Sequence, residues 1–183
     1  MTREEAYELL REYTKKDGLI KHALAVETCM RAYAARLGGD AEEWGAVGLL
    51  HDFDYERFPD AEQHPFKGAE ILREKNVKEE WIQAILGHAN YSGVARETPM
   101  AKALYACDEL TGFVVAVALV RPSKKLADVA VKSVKKKMKD KAFAAKVSRD
   151  DIVQGAAELG IALDEHIGFV LEAMQKNAGL LGL

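Results

Sequence analysis

The chain has 183 residues, 49% hydrophobic and 30% charged, with a formal net charge of -3. That composition belongs to a globular protein with enough chain to bury a core, and one domain is expected over 1–183, with a core at about 19–120 and a C-terminal helical extension at about 121–183. The small negative charge argues against a nucleic-acid polymer or an anionic membrane as the main partner, so any anion site must be local.

Thr2 followed by Glu5 predicts a capping box opening a helix that runs to about Lys16, where Asp17-Gly18 signals a turn. A second helix is expected from about Leu19 to Leu37, ending at Gly38-Gly39, and a third after Asp40, carrying Trp44, Val47 and Leu50 toward His51-Asp52. Phe53 to Gln63, with Pro59, reads as a loop, and Pro65 suits a helix start. Further helices are expected at about 65–75, 78–89, 98–119, 126–139, 148–159 and 164–181. Strand alternation is nowhere sustained, so the class is all-α, a helical bundle with short connections. No secretory signal opens the sequence, and the longest apolar run, Phe113 to Val120, is too short to cross a bilayer, so a cytoplasmic location is expected. Widely spaced Cys29 and Cys107 then read as reduced, buried thiols.

Helical spacing puts several titratable groups on apolar faces. His22 shares a face with Val26, Cys29, Met30, Tyr33 and Leu37, and His88 one with Trp81 and Ile85. Asp108 lies between Leu104 and Thr111 on a markedly hydrophobic helix, where an unpartnered carboxylate would be costly. A lone inward histidine is usually a hydrogen-bonded core residue. A set of them ordered around an inward carboxylate points instead to a divalent cation, and mixed imidazole and carboxylate donors suit iron, manganese, nickel, cobalt or zinc better than magnesium, which prefers mostly oxygen.

At these residues the sequence resembles the HD superfamily, whose pattern is a His on one helix, an adjacent His-Asp pair on the next and a distant Asp on a later helix. His22, His51-Asp52 and Asp108 match it in order, over roughly residues 19 to 120. His64 and His88 stand where binuclear members carry extra ligands, although His88 is followed by Ala89 where many relatives have paired histidines. The resemblance implies one or two divalent ions. His22, His51 and Asp108 would hold the first, His64 and His88 the second, and Asp52 would bridge them, with Asp52 and His88 the catalytic candidates. Metal-activated water then implies hydrolysis of a small phosphorylated substrate, a nucleotide or another phosphomonoester or phosphodiester.

The concentrated positive charge at Lys132 to Lys141 is either the solvated face of an amphipathic helix buried through Val131, Val134 and Met138, or a phosphate clamp. In the second reading Lys136, Lys137 and Lys141, with Lys67 or Arg149, hold substrate phosphate. Asp54 and Glu109 are candidates to orient a ligand imidazole or accept a proton. Tyr55, Arg57 and Phe58 are candidates for the substrate mouth. His166, beside Phe169 and Val170, reads as structural or surface. Two other functions fit the same ligands: a diiron oxygenase of the same superfamily, and a non-catalytic module that binds a nucleotide. Oligomeric state stays open.

Overall fold

In the computed structural model, which describes residues 1–183, the Thr2 hydroxyl accepts the Glu5 amide while the Glu5 carboxylate accepts the Thr2 amide, so the expected capping box opens α1 (Arg3–Tyr13). The helix stops at Tyr13 rather than near Lys16. Thr14 turns extended, and its buried hydroxyl donates 2.9 Å to the Phe53 carbonyl instead of joining another helical turn. The second helix, α2 (Asp17–Leu37), ends as predicted at Gly38, whose φ of 75° is the left-handed conformation that glycine adopts without cost. Asp40 then caps α3 (Ala41–Leu50) by accepting the amides of Glu42 and Glu43.

The remaining elements are α4 (Phe66–Glu74), α5 (Glu79–His88), α6 (Pro99–Leu119), α7 (Val131–Met138), α8 (Arg149–Glu158), α9 (Leu163–Lys176) and the short α10 (Ala178–Leu181), with single 3-10 turns at Asn90–Ser92 and Leu126–Asp128. The class is all-α, as expected, and there is no strand. Packing divides the chain into two units, Met1–Tyr105 and Ala106–Leu183, with the division inside the continuous helix α6. No helix is long and apolar enough to cross a membrane.

In the first unit α2 packs on α3, and α1 also packs on α3. Glu27 of α2 is only 3% exposed, and a buried carboxylate needs compensation. It receives two guanidinium groups, Arg3 at 2.8 Å and Arg31 at 3.0 Å, and Arg31 reaches on to Glu42 at 2.6 Å. Gly48 makes the close approach of α3 to α2 possible, because a Cβ there would lie 2.9 Å from the backbone Cα and N of Glu27. Gly48→Ala is therefore expected to cost about 1–3 kcal/mol by overpacking, more than the roughly 1 kcal/mol that alanine contributes through helix propensity. The measurement is the urea midpoint, and an unchanged midpoint would show that the two backbones can separate freely.

In the second unit two expected helices are shorter than the pattern suggested. The predicted 126–139 helix begins at Val131, because the Gln175 side chain donates to the carbonyls of Leu126 and Val129, which a continuous helix would have used. The predicted 164–181 helix breaks at Asn177, whose side chain donates to the Ala173 carbonyl. His166 is fully buried and its Nε2 donates 2.8 Å to the Ala106 carbonyl, which bears out the structural reading of that residue.

Candidate metal centre

Three histidines of the first unit reach the site with one ring nitrogen already committed. His51 caps the C-terminus of α3, and its Nδ1 lies 2.8 Å from the Gly48 carbonyl; His88 closes α5, and its Nδ1 contacts the Ile85 carbonyl. A carbonyl can only accept, so Nδ1 carries a proton in both rings and Nε2 is the nitrogen turned toward the site. His64, in the loop before α4, has Nδ1 2.8 Å from Asp54 Oδ1. Each ring is thus fixed through Nδ1 and presents Nε2, the arrangement in which metal-ligating histidines are oriented by a hydrogen-bond partner behind them.

Those Nε2 atoms face Asp52. His64 and His88 both stand 3.2 Å from Asp52 Oδ1, while His51 stands 3.6 Å from Oδ2. The two carboxylate oxygens therefore look toward different histidines. On the far side of His51, His22 of α2 brings its own Nε2 to 3.1 Å from the His51 Nε2. One ligand atom each from Asp52, His64 and His88 lies within 4.8 Å of the others, a group able to hold a metal ion. Asp108 is half-buried on α6, three residues beyond Tyr105 in the same unbroken helix.

Electrostatics test whether a cation fits. Burial pushes the Asp52 carboxyl up, but His51, His64 and His88 outweigh it and hold the group well below the usual carboxylate range. Burial likewise lowers His64, yet its hydrogen bonds to Asp52 and Asp54 prevail and push it up to about 9. In the ion-free protein His64 is therefore an imidazolium at neutral pH, a positive charge held between two carboxylates where a divalent ion would supply it. Nitrogen and oxygen donors, a committed back nitrogen on each of three rings and an ionised central carboxylate together fit a divalent metal ion.

This sets the sign of two pH effects. The proton on His64 must leave before its Nε2 can bind metal, so affinity for an ion in the Asp52–His64–His88 group is expected to rise about tenfold per pH unit from pH 7 toward 9 and then level off. Without metal, the His64 ion pair stabilises the fold fully below the unfolded histidine value of about 6.5 and is lost as pH rises through about 9. Calorimetry across that range checks the first effect and melting of the chelated protein the second. Metal affinity that does not change with pH would remove His64 from the ligand set.

The loop between Asp52 and His64 is tied down from the opposite direction. Glu56 accepts the amides of Lys15 at 2.8 Å and Lys16 at 3.0 Å, while Thr14 holds Phe53. Arg57, read as part of the mouth, donates to the Glu12 carbonyl and stacks 3.9 Å from the Tyr13 ring centroid. Phe58 is half-buried, whereas Tyr55 is 40% exposed with its ring edge-on to His64 at 5.2 Å. Gly68, which the sequence reading did not single out, donates its amide 2.8 Å to Asp54 Oδ2, and a Cβ there would sit 2.8 Å from the Asp54 carboxyl carbon. A glycine in the first turn of a helix, four residues after His64, was the available signal.

Of the candidate phosphate contacts, Lys67 pairs with Glu70 at 2.7 Å on the surface. In the second unit Lys137 pairs with Asp140 at 3.7 Å and lies over Phe143, and Lys136 lines an open groove of about 620 Å³ with Lys132, Lys135, Lys139 and Asp164. Lys141 is exposed. Arg149 directs its guanidinium onto the carbonyls of Asp140, Phe143, Ala144 and Val147 and over the Phe113 ring, so it ties its own loop together rather than reaching for a substrate. Glu109, a candidate for orienting a ligand, accepts the Ser148 amide ahead of α8.

A family model of the HD domain matches residues 19–112, a span that contains all six predicted ligands. Over 95 residues, 51% of this chain, the sequence is 33% identical to ribonuclease Y of Lawsonia intracellularis (strain PHE/MN1-00); the match covers 18% of that protein's length. The HD domain of the L. monocytogenes phosphodiesterase PgpH, seen in a crystal structure, is similar in fold with a TM-score of 0.55 and 13% identity, over 97% of this chain and 99% of that one.

Proposed function

The chain belongs to the HD domain family, and from that premise we propose that it is a metal-dependent hydrolase of phosphate esters acting on a small phosphorylated substrate. The observation that carries the reading is the shared carboxylate: Asp52 turns one oxygen to His64 and His88, both at 3.2 Å, and the other to His51. Asp52 would serve two ions, with His64 and His88 on one and with His22, His51 and Asp108 on the other. When bound, a divalent ion lowers the pKa of a coordinated water toward neutrality and withdraws charge from phosphoryl oxygens.

The chain's own residues do the rest. Gly48 and Ile85 hold the His51 and His88 rings through Nδ1, so that Nε2 is the nitrogen offered to an ion. Asp54 keeps His64 aimed at Asp52 and is itself held by the Gly68 amide. A single domain, with its core at about 19–120 and a helical extension beyond, is the organisation this reading assumes.

The test is metal analysis of the purified protein, with phosphate release measured on a panel of nucleotides and phosphomonoesters with and without oxygen. The expected result is stoichiometric transition metal and oxygen-independent release that a chelator abolishes. Oxygen consumption by iron-loaded protein without hydrolysis would replace the proposal with an oxygenase. Ligand-induced thermal stabilisation without turnover would replace it with a binding module.

A further inference from the structure

Two open grooves lie on the surface of the chain, one in each unit, and their charges are opposite. The first, of about 620 Å³, is the lysine-lined groove of α7 described above, in which Val131 supplies apolar lining. The second, of about 530 Å³, is formed largely by α1, where Glu5, Glu8 and Glu12 line it together with Met1 and Leu9. Each holds one charge of the other sign: Asp164, which Lys135 neutralises at 2.7 Å, and Lys75.

The lysines of α7 divide by partner. Lys135 pairs with Asp164 and Lys137 with Asp140, whereas Lys132, Lys136 and Lys139 are exposed and take part in no ion pair. These three stand four and then three residues apart, so they form one stripe, which the right-handed helical backbone of Lys139 carries past the last turn. Glu5, Glu8 and Glu12 are exposed as well, and they repeat the same steps in reverse order, three and then four residues. Laid antiparallel, the two helices set Lys139 opposite Glu5, Lys136 opposite Glu8 and Lys132 opposite Glu12. Each stripe is then about 10 Å long at ~1.5 Å per residue. Val131 in one groove and the 40%-exposed Met1 in the other would leave water in the same contact.

We propose that the α7 groove of one copy of the chain receives the α1 face of a second copy, antiparallel and in this register. A second copy accounts for both stripes and for their matched spacing with one contact. A nucleic acid would use the lysines alone, and it would approach a chain whose net charge is -3. Because exposed ion pairs are individually weak, the charges set register and orientation more than strength, and the association is weak and sensitive to salt.

Analytical ultracentrifugation of the full chain over a range of concentrations tests the pairing. The average mass is expected to rise with concentration at low salt, and the dissociation constant to increase at least about tenfold between about 0.03 M and about 1 M salt, where the screening length shrinks to about 3 Å. Lys132→Glu with Lys136→Glu, or Glu8→Lys with Glu12→Lys, should each weaken self-association about tenfold or more, through two lost attractions and two new repulsions. Glu5 is left unchanged because it closes the cap of α1. An equimolar mixture of the two variants should recover association, since every reversed residue then meets its opposite. Lys141→Glu with Lys146→Glu makes the same change in net charge at exposed positions outside the groove and should leave association intact. A chain that stays monomeric at low salt, equal weakening by that control, or two variants of wild-type helical circular dichroism whose mixture does not recover overturns the proposal. A monomeric chain that binds a fluorescent single-stranded oligonucleotide, with binding lost in Lys132→Glu with Lys136→Glu, assigns the groove to a polyanion instead and also overturns it.

Discussion

Asp52→Ala is expected to lower phosphate-ester hydrolysis by at least about 10³-fold, at the upper end of what removing one preorganised charge-stabilising group costs, and to reduce the bound metal measured by elemental analysis. The basis is geometric. His64 and His88 converge on one Asp52 oxygen while His51 faces the other, so its removal deprives all three rings of their shared partner at once. Removing it also leaves His64 with only Asp54 as its acidic partner, which lowers the His64 pKa from about 9 toward its ordinary value. Nuclear magnetic resonance titration of the His64 ring in chelated protein reads that shift independently of turnover. Unchanged metal content and turnover in a folded Asp52→Ala protein would remove the central claim.

Asp54→Asn is the second large expected effect, and it acts without touching a metal. The Asp54 carboxylate is fully buried and accepts twice, from His64 Nδ1 and from the Gly68 amide, both at 2.8 Å. An amide of the same size has one acceptor oxygen, so one of those two donors would face an NH2 group. Metal affinity is expected to drop about 10- to 100-fold, the usual cost of losing the partner behind a ligand, and the buried unpaired donor should cost about 1–3 kcal/mol of stability. Competition with a calibrated chelator measures the first and urea denaturation the second. If affinity were unchanged while stability fell, Asp54 would be a structural residue alone.

Several candidate ligands were legible in the sequence because they stand at positions that a simple periodicity exposes, whereas His64, in a loop, was reached only through the family resemblance. His22 and His88 lie on apolar helical faces, and His51-Asp52 follows an α3 whose residues from Trp44 to Leu50 are all buried. The bracing of the loop was not readable, since it depends on partners about 40 residues away in sequence: Thr14 with Phe53, and Glu56 with Lys15 and Lys16. No local pattern announces such pairs. Arg149 illustrates the opposite error, a cation that looked available for phosphate until its own loop carbonyls were seen to surround it. The 126–139 and 164–181 helices were overextended for a related reason, because the Gln175 and Asn177 side chains compete for backbone carbonyls at the breaks.

The two kinds of ring support described for the centre have unequal resilience. His51 and His88 lean on carbonyls three residues back in their own helices, so their aim survives as long as a single helical turn does. His64 leans on Asp54, ten residues away across a loop that the connection between α1 and α2 keeps in place. If the centre holds two ions as proposed, mild denaturant or heat that frays this loop should therefore release the one held by His64 before the one held by His51, in two steps.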